Sequence, residues 1–171
     1  MRLLAALSLI ALAAAPLSAQ SRPADFGQGW LPEFNHAAAQ ILALAEATPP
    51  EKYAWRPAPG VRSTSEVLMH TVETNYWLLK QAGIQVTLPK PAPSPERGVP
   101  RKDDVLFWLR ASFDAVRTSY PTADRQKLVK FFGKDTPAEN VFLRILVHNH
   151  EHMGQLIAYA RMSGVTPPWS K

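Results

Sequence analysis

Apolar residues recur at helical spacing in four segments of the chain, and no strand-like alternation lasts for more than a few residues. The four segments cover residues 32–47, 63–82, 103–119 and 136–163, and each is bounded by proline, glycine or Ser/Thr signals. Capping boxes are predicted at the starts of the second and fourth segments, over residues 63–66 and 136–139. This pattern predicts an all-α protein, a four-helix bundle whose sites are built from inward-facing positions. A short helical piece is also predicted over residues 123–131, and residues 88–100, rich in proline, are predicted to cross the surface between helices two and three.

The first 19 residues have the layout of a secretory signal peptide. A basic residue, Arg2, precedes an apolar stretch from Leu3 to Leu17, and small residues lead to a cleavage point after Ala19. The alternative is an N-terminal membrane anchor, but the stretch is shorter than the roughly 18 to 20 residues that a spanning helix needs. We expect export to the periplasm or the exterior, cleavage that leaves no stable membrane anchor, and one domain over residues 20–171.

The composition narrows the chemistry that this domain can use. The chain has no cysteine, which excludes disulfides, thiolate nucleophiles and cysteine-ligated metals and leaves histidine and carboxylates as the strong metal-ligand candidates. Its net charge of +5 comes from scattered basic residues with no run longer than two. No nucleic-acid partner is therefore expected.

Histidines on helices two and four are the main candidates for function. His148 and His152 are four residues apart and share the inward face of helix four, whereas His150 points to the opposite side. On helix two, His70 lies on a stripe with Val67, Thr74, Trp77 and Gln81 that is predicted to face inward. If the two helices are neighbours, His70, His148 and His152 form a three-histidine metal site with open positions. The alternative is a structural cluster held by hydrogen bonds.

Several neighbouring residues are weaker candidates. Gln155 could support a histidine ligand or bound water, and Gly154 is expected to let another helix approach closely. Glu73 has the helix spacing of a His-x-x-Glu pair with His70 and could reach the metal region, although its neighbours fit the inward stripe better. Glu151 is not placed like the base of a zinc-binding helix. Of the tryptophans, Trp77 could wall a substrate pocket, although aromatic residues at helical spacing more often belong to the core.

Residues 53–63, 66–70 and 148–169 carry a wider pattern, of which the most specific part is His148-x-x-x-His152 followed by Met153-Gly154-Gln155-Leu156. In these segments the chain resembles the DinB/YfiT superfamily, whose members are regarded as metalloenzymes. The resemblance implies a four-helix bundle, often dimeric, in which His70, His148 and His152 hold a divalent metal. The ion could be Zn, Ni, Mn or Fe. A homodimer is therefore one expectation for the assembly.

We interpret the chain as an exported metal-dependent enzyme, a hydrolase or transferase, in which the metal activates a water, a thiol or a small substrate. Characterised members that the resemblance suggests use cytosolic thiols, and an exported protein departs from them. No convincing general base is visible in the sequence. The alternative is a non-catalytic helical module that binds a metal or a small ligand.

Overall fold

The computed structural model describes residues 27–89 and 101–170. The predicted signal peptide and most of the predicted proline-rich crossing lie outside these ranges. The described elements are four helices, an antiparallel hairpin and two single-turn 3₁₀ helices. The helices are α1 (Trp30–Ala47), α2 (Thr64–Gln81), α3 (Lys102–Thr122) and α4 (Ala138–Met162). The hairpin strands are β1 (Leu128–Phe131) and β2 (Lys134–Pro137), and the 3₁₀ turns lie at Pro50–Lys52 and Pro168–Ser170. The all-α four-helix bundle is confirmed, and the small hairpin is an addition to it.

The four helices pack in a ring around one core. Both α1 and α2 pack against α3 and α4, so α2 and α4 are neighbours, as a shared histidine site requires. Large apolar side chains from all four helices fill the centre, including Phe34, Ile41, Leu68, Leu78, Trp108, Phe113, Phe142 and Ile145. Within the described residues, no helix is both long and apolar enough to cross a membrane.

The start of α2 is fixed by the predicted capping box. The Ser63 hydroxyl accepts a hydrogen bond from the Glu66 amide, and the Glu66 carboxylate accepts one from the Ser63 amide at 2.6 Å. These two bonds satisfy amides that the first turn of a helix leaves without partners. The helix ends where Gly83 takes a φ of +80°, a left-handed conformation that glycine adopts without a Cβ clash. His70 is therefore held about two turns from a well-defined helix start.

The prediction of a helical piece over residues 123–131 is wrong, because part of this stretch forms the hairpin. Strand β1 pairs with β2 in antiparallel register, with Val129 opposite Thr136. Phe132 and Gly133 connect the strands with φ values of 47° and 77°. Two successive residues with positive φ make the tight turn that suits the twist of a hairpin.

The capping box predicted at the start of α4, over residues 136–139, is also absent. Thr136 belongs to β2, and the residue before the helix makes no side-chain cap. Instead, the first two amides of α4 donate to the carbonyls of Lys127 and Arg125. The Glu139 carboxylate pairs with the Arg125 guanidinium at 2.9 Å. The segment that leads into the hairpin therefore caps α4 in place of its own first residues.

Helix α3 runs further than predicted. The sequence indicated an end at Ser119 because of the following Pro121, but the helix continues to Thr122 with the proline inside its last turn. The Ala123 amide still donates to the Ser119 carbonyl. A proline this close to the end interrupts little of the helical hydrogen bonding, so it does not stop the helix at once.

The buried face of α2 differs from the predicted stripe. Trp77, predicted to face inward, is 44% exposed, whereas the polar side chains of Thr71 and Asn75 are completely buried. Asn75 accepts a hydrogen bond from the Asn149 amide at 2.8 Å, and the Thr71 hydroxyl donates to a backbone carbonyl of its own helix. Because hydrogen bonds make these polar residues compatible with the interior, the inward face is turned away from the predicted stripe. His70 consequently lies at the edge of the core.

Candidate metal centre

The structure brings together the three histidines singled out by the sequence. His148 and His152 follow one another by one turn on α4, and His70 faces them from α2. The Nε2 atom of His148 lies 3.2 Å from Nε2 of His70 and 3.1 Å from Nε2 of His152. One nitrogen from each ring falls within 4.8 Å of the other two. Three imidazoles from two helices thus present their ring nitrogens to one point.

These nitrogen separations suit a single small cation. Imidazole nitrogens bind zinc at roughly 2.0 to 2.1 Å, and two such nitrogens around a tetrahedral ion are about 3.4 Å apart. The two measured separations are only slightly shorter than that value. Small rotations of the rings would therefore place all three nitrogens at bonding distance from one ion.

The hydrogen bonding within the cluster also fits a metal. The Nδ1–H of His152 donates to Oε1 of Gln155 at 2.8 Å, which leaves a lone pair on its Nε2. The Nε2 atom of His148 contacts the other two rings, yet a single N–H can donate to only one of them. Three neutral imidazoles cannot satisfy all of these nitrogens among themselves, whereas a divalent cation accepts a lone pair from each.

Burial keeps two of the three rings in the form that binds metals. His148 is only 6% exposed, and desolvation is the largest cause that lowers its pKa to about 4, followed by the neighbouring His152 and His70. Desolvation likewise lowers the pKa of half-buried His70 to about 4, with further contributions from Arg62 and His152. Both rings are neutral at pH 7, so their lone pairs are available to a cation.

The cluster is closed on the inner side and open on the outer side. His148 is buried, whereas His70 and His152 are partly exposed. A cation bound by all three rings would therefore keep positions that face solvent. Three protein ligands with a remaining position for water or substrate are also found in catalytic zinc sites.

Gln155 and Tyr159 support the cluster from the same face of α4. The Nε2 amide of Gln155 donates to the Tyr159 hydroxyl at 3.0 Å, while its Oε1 accepts from His152. Tyr159 is buried, and its ring packs edge-on against Trp55 with centroids 5.3 Å apart. The predicted supporting position of Gln155 is thus confirmed in its geometry. Tyr159 follows Gln155 by four residues, but nothing in the sequence indicated that it holds the glutamine.

Other histidines and carboxylates stay outside the cluster. His150 does not point fully to solvent as predicted: it is half-buried, and its Nδ1 lies 3.0 Å from the Leu146 carbonyl. Glu151 is exposed and forms a salt bridge with Arg144. Glu73 is exposed as well, and no carboxylate of the described residues belongs to the metal-competent group. Glu73 therefore does not reach the metal region, in agreement with the lower weight that its spacing was given.

Two further expectations are corrected by the structure. Gly154 was expected to allow a close helix approach, but a Cβ at this exposed position would meet no atom of the described residues within 4 Å. Trp77 does not belong to the core, which was the favoured expectation, and it does not wall the histidine site either. It lines a separate groove with Tyr76 and Lys80 and packs near the aromatic rings of the hairpin turn.

Arg62 is a residue that sequence reasoning missed. It immediately precedes the capping residue of α2, and its positive charge contributes to the low pKa of His70. A positive charge there favours negatively charged groups near His70. Arg62 lies in the segment 53–63 that carries the family resemblance, but an isolated arginine in a loop has no spacing pattern that would indicate its role.

Comparisons with known proteins agree with this geometry. The family model of the DinB superfamily matches residues 33–156, which is well over half of the chain. The fold is similar to the crystal structure of a DinB-like protein from Bacillus cereus ATCC 10987, with a TM-score of 0.67 and 20% sequence identity. That similarity covers 82% of this chain and 95% of the other. No curated protein is similar enough to this chain to count as a match.

Proposed function

This chain belongs to the DinB superfamily, and from that membership together with its converging histidines we propose that it is a metal-dependent enzyme acting on a small molecule. The observation that carries the proposal is the convergence of ring nitrogens from His70, His148 and His152 within 4.8 Å of one another. These three residues would hold a divalent cation. Imidazole ligands suit Zn, Ni and Fe and also accept Mn, so the identity of the ion is left to experiment.

The chain's own residues would each contribute a definite part. The three rings would supply lone pairs, and Gln155 keeps the Nδ1 proton of His152 pointed away from the cluster. Arg62 adds positive charge near His70, which favours a substrate that carries an anionic group. A divalent cation bound there would supply Lewis acidity and lower the pKa of a water or thiol.

One observation supports a second candidate function. Among the described residues, no carboxylate joins the cluster to act as a proton acceptor, since Glu151 is paired with Arg144 and Glu73 is exposed. A site without a general base is also what a non-catalytic module that binds a metal or small ligand would have. The two candidates share the metal site and differ in whether ligands from solvent can bind to the metal held there.

Export is a further part of the proposal. It is supported by the basic start, the short apolar stretch and the small residues before Gln20 in the sequence. An exported enzyme would meet its substrate outside the cytoplasm, so cytosolic thiols are poor candidates for a co-substrate. A water or an extracytoplasmic small molecule fits this location better.

The metal site is tested by measuring metal content and affinity. We expect the purified domain to bind about one divalent cation per chain and the double variant His148→Ala/His152→Ala to lose it. His150→Ala is the matched control, since His150 lies on the same helix outside the cluster, and it should bind like the wild type. Equal binding by the wild type and the double variant would refute the metal site.

The enzyme and the module are separated by the reactivity of the bound ion. In the Co²⁺-substituted protein, an enzyme site should change its visible absorption spectrum when azide or a small thiol is added, because exogenous ligands enter open positions. If no added ligand changes the absorption spectrum, the enzyme is excluded and a module whose metal is closed to added ligands is supported. Screening of ester, amide and phosphoester substrates would then follow only for the reactive site.

A further inference from the structure

A chain of two hydrogen bonds leads away from the metal centre along α4. The Nδ1–H of His152 donates to Gln155 Oε1 at 2.8 Å, and Gln155 Nε2 donates to the Tyr159 hydroxyl at 3.0 Å. The three residues are three and four positions apart, so they share one helix face. Because an amide oxygen can only accept, the first bond places the His152 proton on Nδ1 and the lone pair on Nε2. That lone pair faces the other two histidines.

The second bond anchors the far end of the Gln155 amide. Tyr159 is only 5% exposed, and its ring is packed edge-on against Trp55, so the hydroxyl has a fixed position. With Nε2 of Gln155 bound to that hydroxyl, the amide presents Oε1 to His152. A rotated amide would present N–H groups instead, which would place the His152 proton on Nε2 and block the lone pair.

His148, the most buried histidine of the cluster, has no comparable support. Its Nδ1 atom is buried and has no hydrogen-bond partner among the described residues. Its ring is held by packing and by contacts to the other two imidazoles. Gln155 and Tyr159 therefore give the His152 imidazole a hydrogen-bonded support that the His148 imidazole lacks among the described residues.

We propose that Gln155, held by Tyr159, is a positioning residue that fixes the tautomer and ring orientation of His152 and thereby strengthens binding of the divalent cation. This inference rests on the proposed function, because it requires His152 to be a ligand. Changes to residues that orient a ligating histidine typically weaken metal binding about 10–100-fold. Gln155→Leu should lose Zn²⁺ affinity within that range.

The affinity test compares four variants with the wild type by Zn²⁺ competition against a chromophoric chelator. Gln155→Leu removes both hydrogen bonds. Gln155→Glu retains both pairings, because a carboxylate accepts from His152 and the Tyr159 hydroxyl can turn to donate to it. Gln155→Glu should therefore retain at least wild-type affinity. Tyr159→Phe should lose less than Gln155→Leu, since it frees the amide without removing it. The matched control Gln81→Leu, also half-buried but at the far end of α2, should bind like the wild type.

A second measurement reads the tautomer directly in metal-free protein. In ¹⁵N NMR spectra, His152 of the wild type should show the Nδ1-protonated form, and Gln155→Leu should shift it toward a mixture of both forms. Wild-type affinity in Gln155→Leu, or equal losses in Gln155→Leu and Gln155→Glu, would overturn the positioning role. If the His148→Ala/His152→Ala variant still binds Zn²⁺ like the wild type, the proposed metal site fails instead. The two failures are thus distinguishable.

Discussion

Acidifying the metal-free protein from pH 7 to pH 5 should destabilise it, because the buried His148 and the half-buried His70 resist protonation in the folded state. Burial, the largest cause, lowers the pKa of both His70 and His148 to about 4. In the unfolded chain each imidazole returns to a pKa of about 6.5. Between these values the unfolded state binds more protons than the folded state. Stability therefore rises with pH and is lost as the pH falls through this window.

The expected loss is large for a protein of this size. From the two pKa values, each histidine removes about 2 kcal/mol of unfolding free energy between pH 7 and pH 5, and the pair removes about 4 kcal/mol. Domains of this kind are stable by about 5–15 kcal/mol in total. Glu66 and Glu151 act in the same direction, because hydrogen bonds lower the pKa of each carboxyl below 4.5. Their contribution is lost only at still lower pH, so the histidines dominate this window.

Urea unfolding at half-unit pH steps, with a chelator present, measures this effect. The slope of unfolding free energy against pH should approach two protons, about 2.7 kcal/mol per pH unit. His148→Leu removes one titrating group and should reduce the slope by about half. His150→Ala changes a histidine outside the cluster and should leave the slope unchanged. A flat profile in the wild type, or an unchanged slope in His148→Leu, would refute the reasoning.

Three further predictions concern the helices and the leader. Gly154→Ala should raise the unfolding free energy by about 1 kcal/mol and the Tm by about 2–4 °C. The reason is that the added Cβ would meet no described atom within 4 Å and that alanine favours a helix more than glycine does. A lower Tm in thermal unfolding would contradict this. Asn75→Ala should lower the free energy of unfolding in urea by about 3 kcal/mol, because it removes two buried hydrogen bonds and leaves a cavity. A decrease below 1 kcal/mol would show that these bonds contribute little to stability. Expression in a secreting host should yield a chain that begins at Gln20 by intact mass, and retention of residues 1–19 would argue against cleavage.

Local patterns predicted the parts of this structure that depend on one helix at a time. The helix over 63–82 was placed to within one residue at each end, because the capping box of Ser63 and Glu66 and the stop at Gly83 act through neighbouring backbone atoms. The pairing of His148 and His152 was also predictable. Their common face follows from the turn of an α-helix and needs no knowledge of the other helices.

Features that depend on contacts between elements were not predictable in the same way. The hairpin has only four residues in each strand, too few for alternation to stand out, and it is specified mainly by the turn at Phe132 and Gly133. The face of α2 was misjudged because Asn75 is polar yet fully buried. Its partner, Asn149, lies 74 positions further along the chain, so the hydrogen bond that makes its burial acceptable is invisible to helical periodicity.

That buried hydrogen bond also explains why the three histidines meet. Asn149 directly follows His148, and its Nδ2 atom bonds both Asn75 and a carbonyl of its own helix at 2.8 Å. Asn75 lies five residues after His70 on α2. Sliding α2 along α4 by one turn would break this fully buried bond and leave its polar atoms without partners, a cost of about 1–3 kcal/mol for each. The bond therefore fixes the register that brings His70 opposite His148, so the Asn75→Ala variant should weaken metal binding as well as stability.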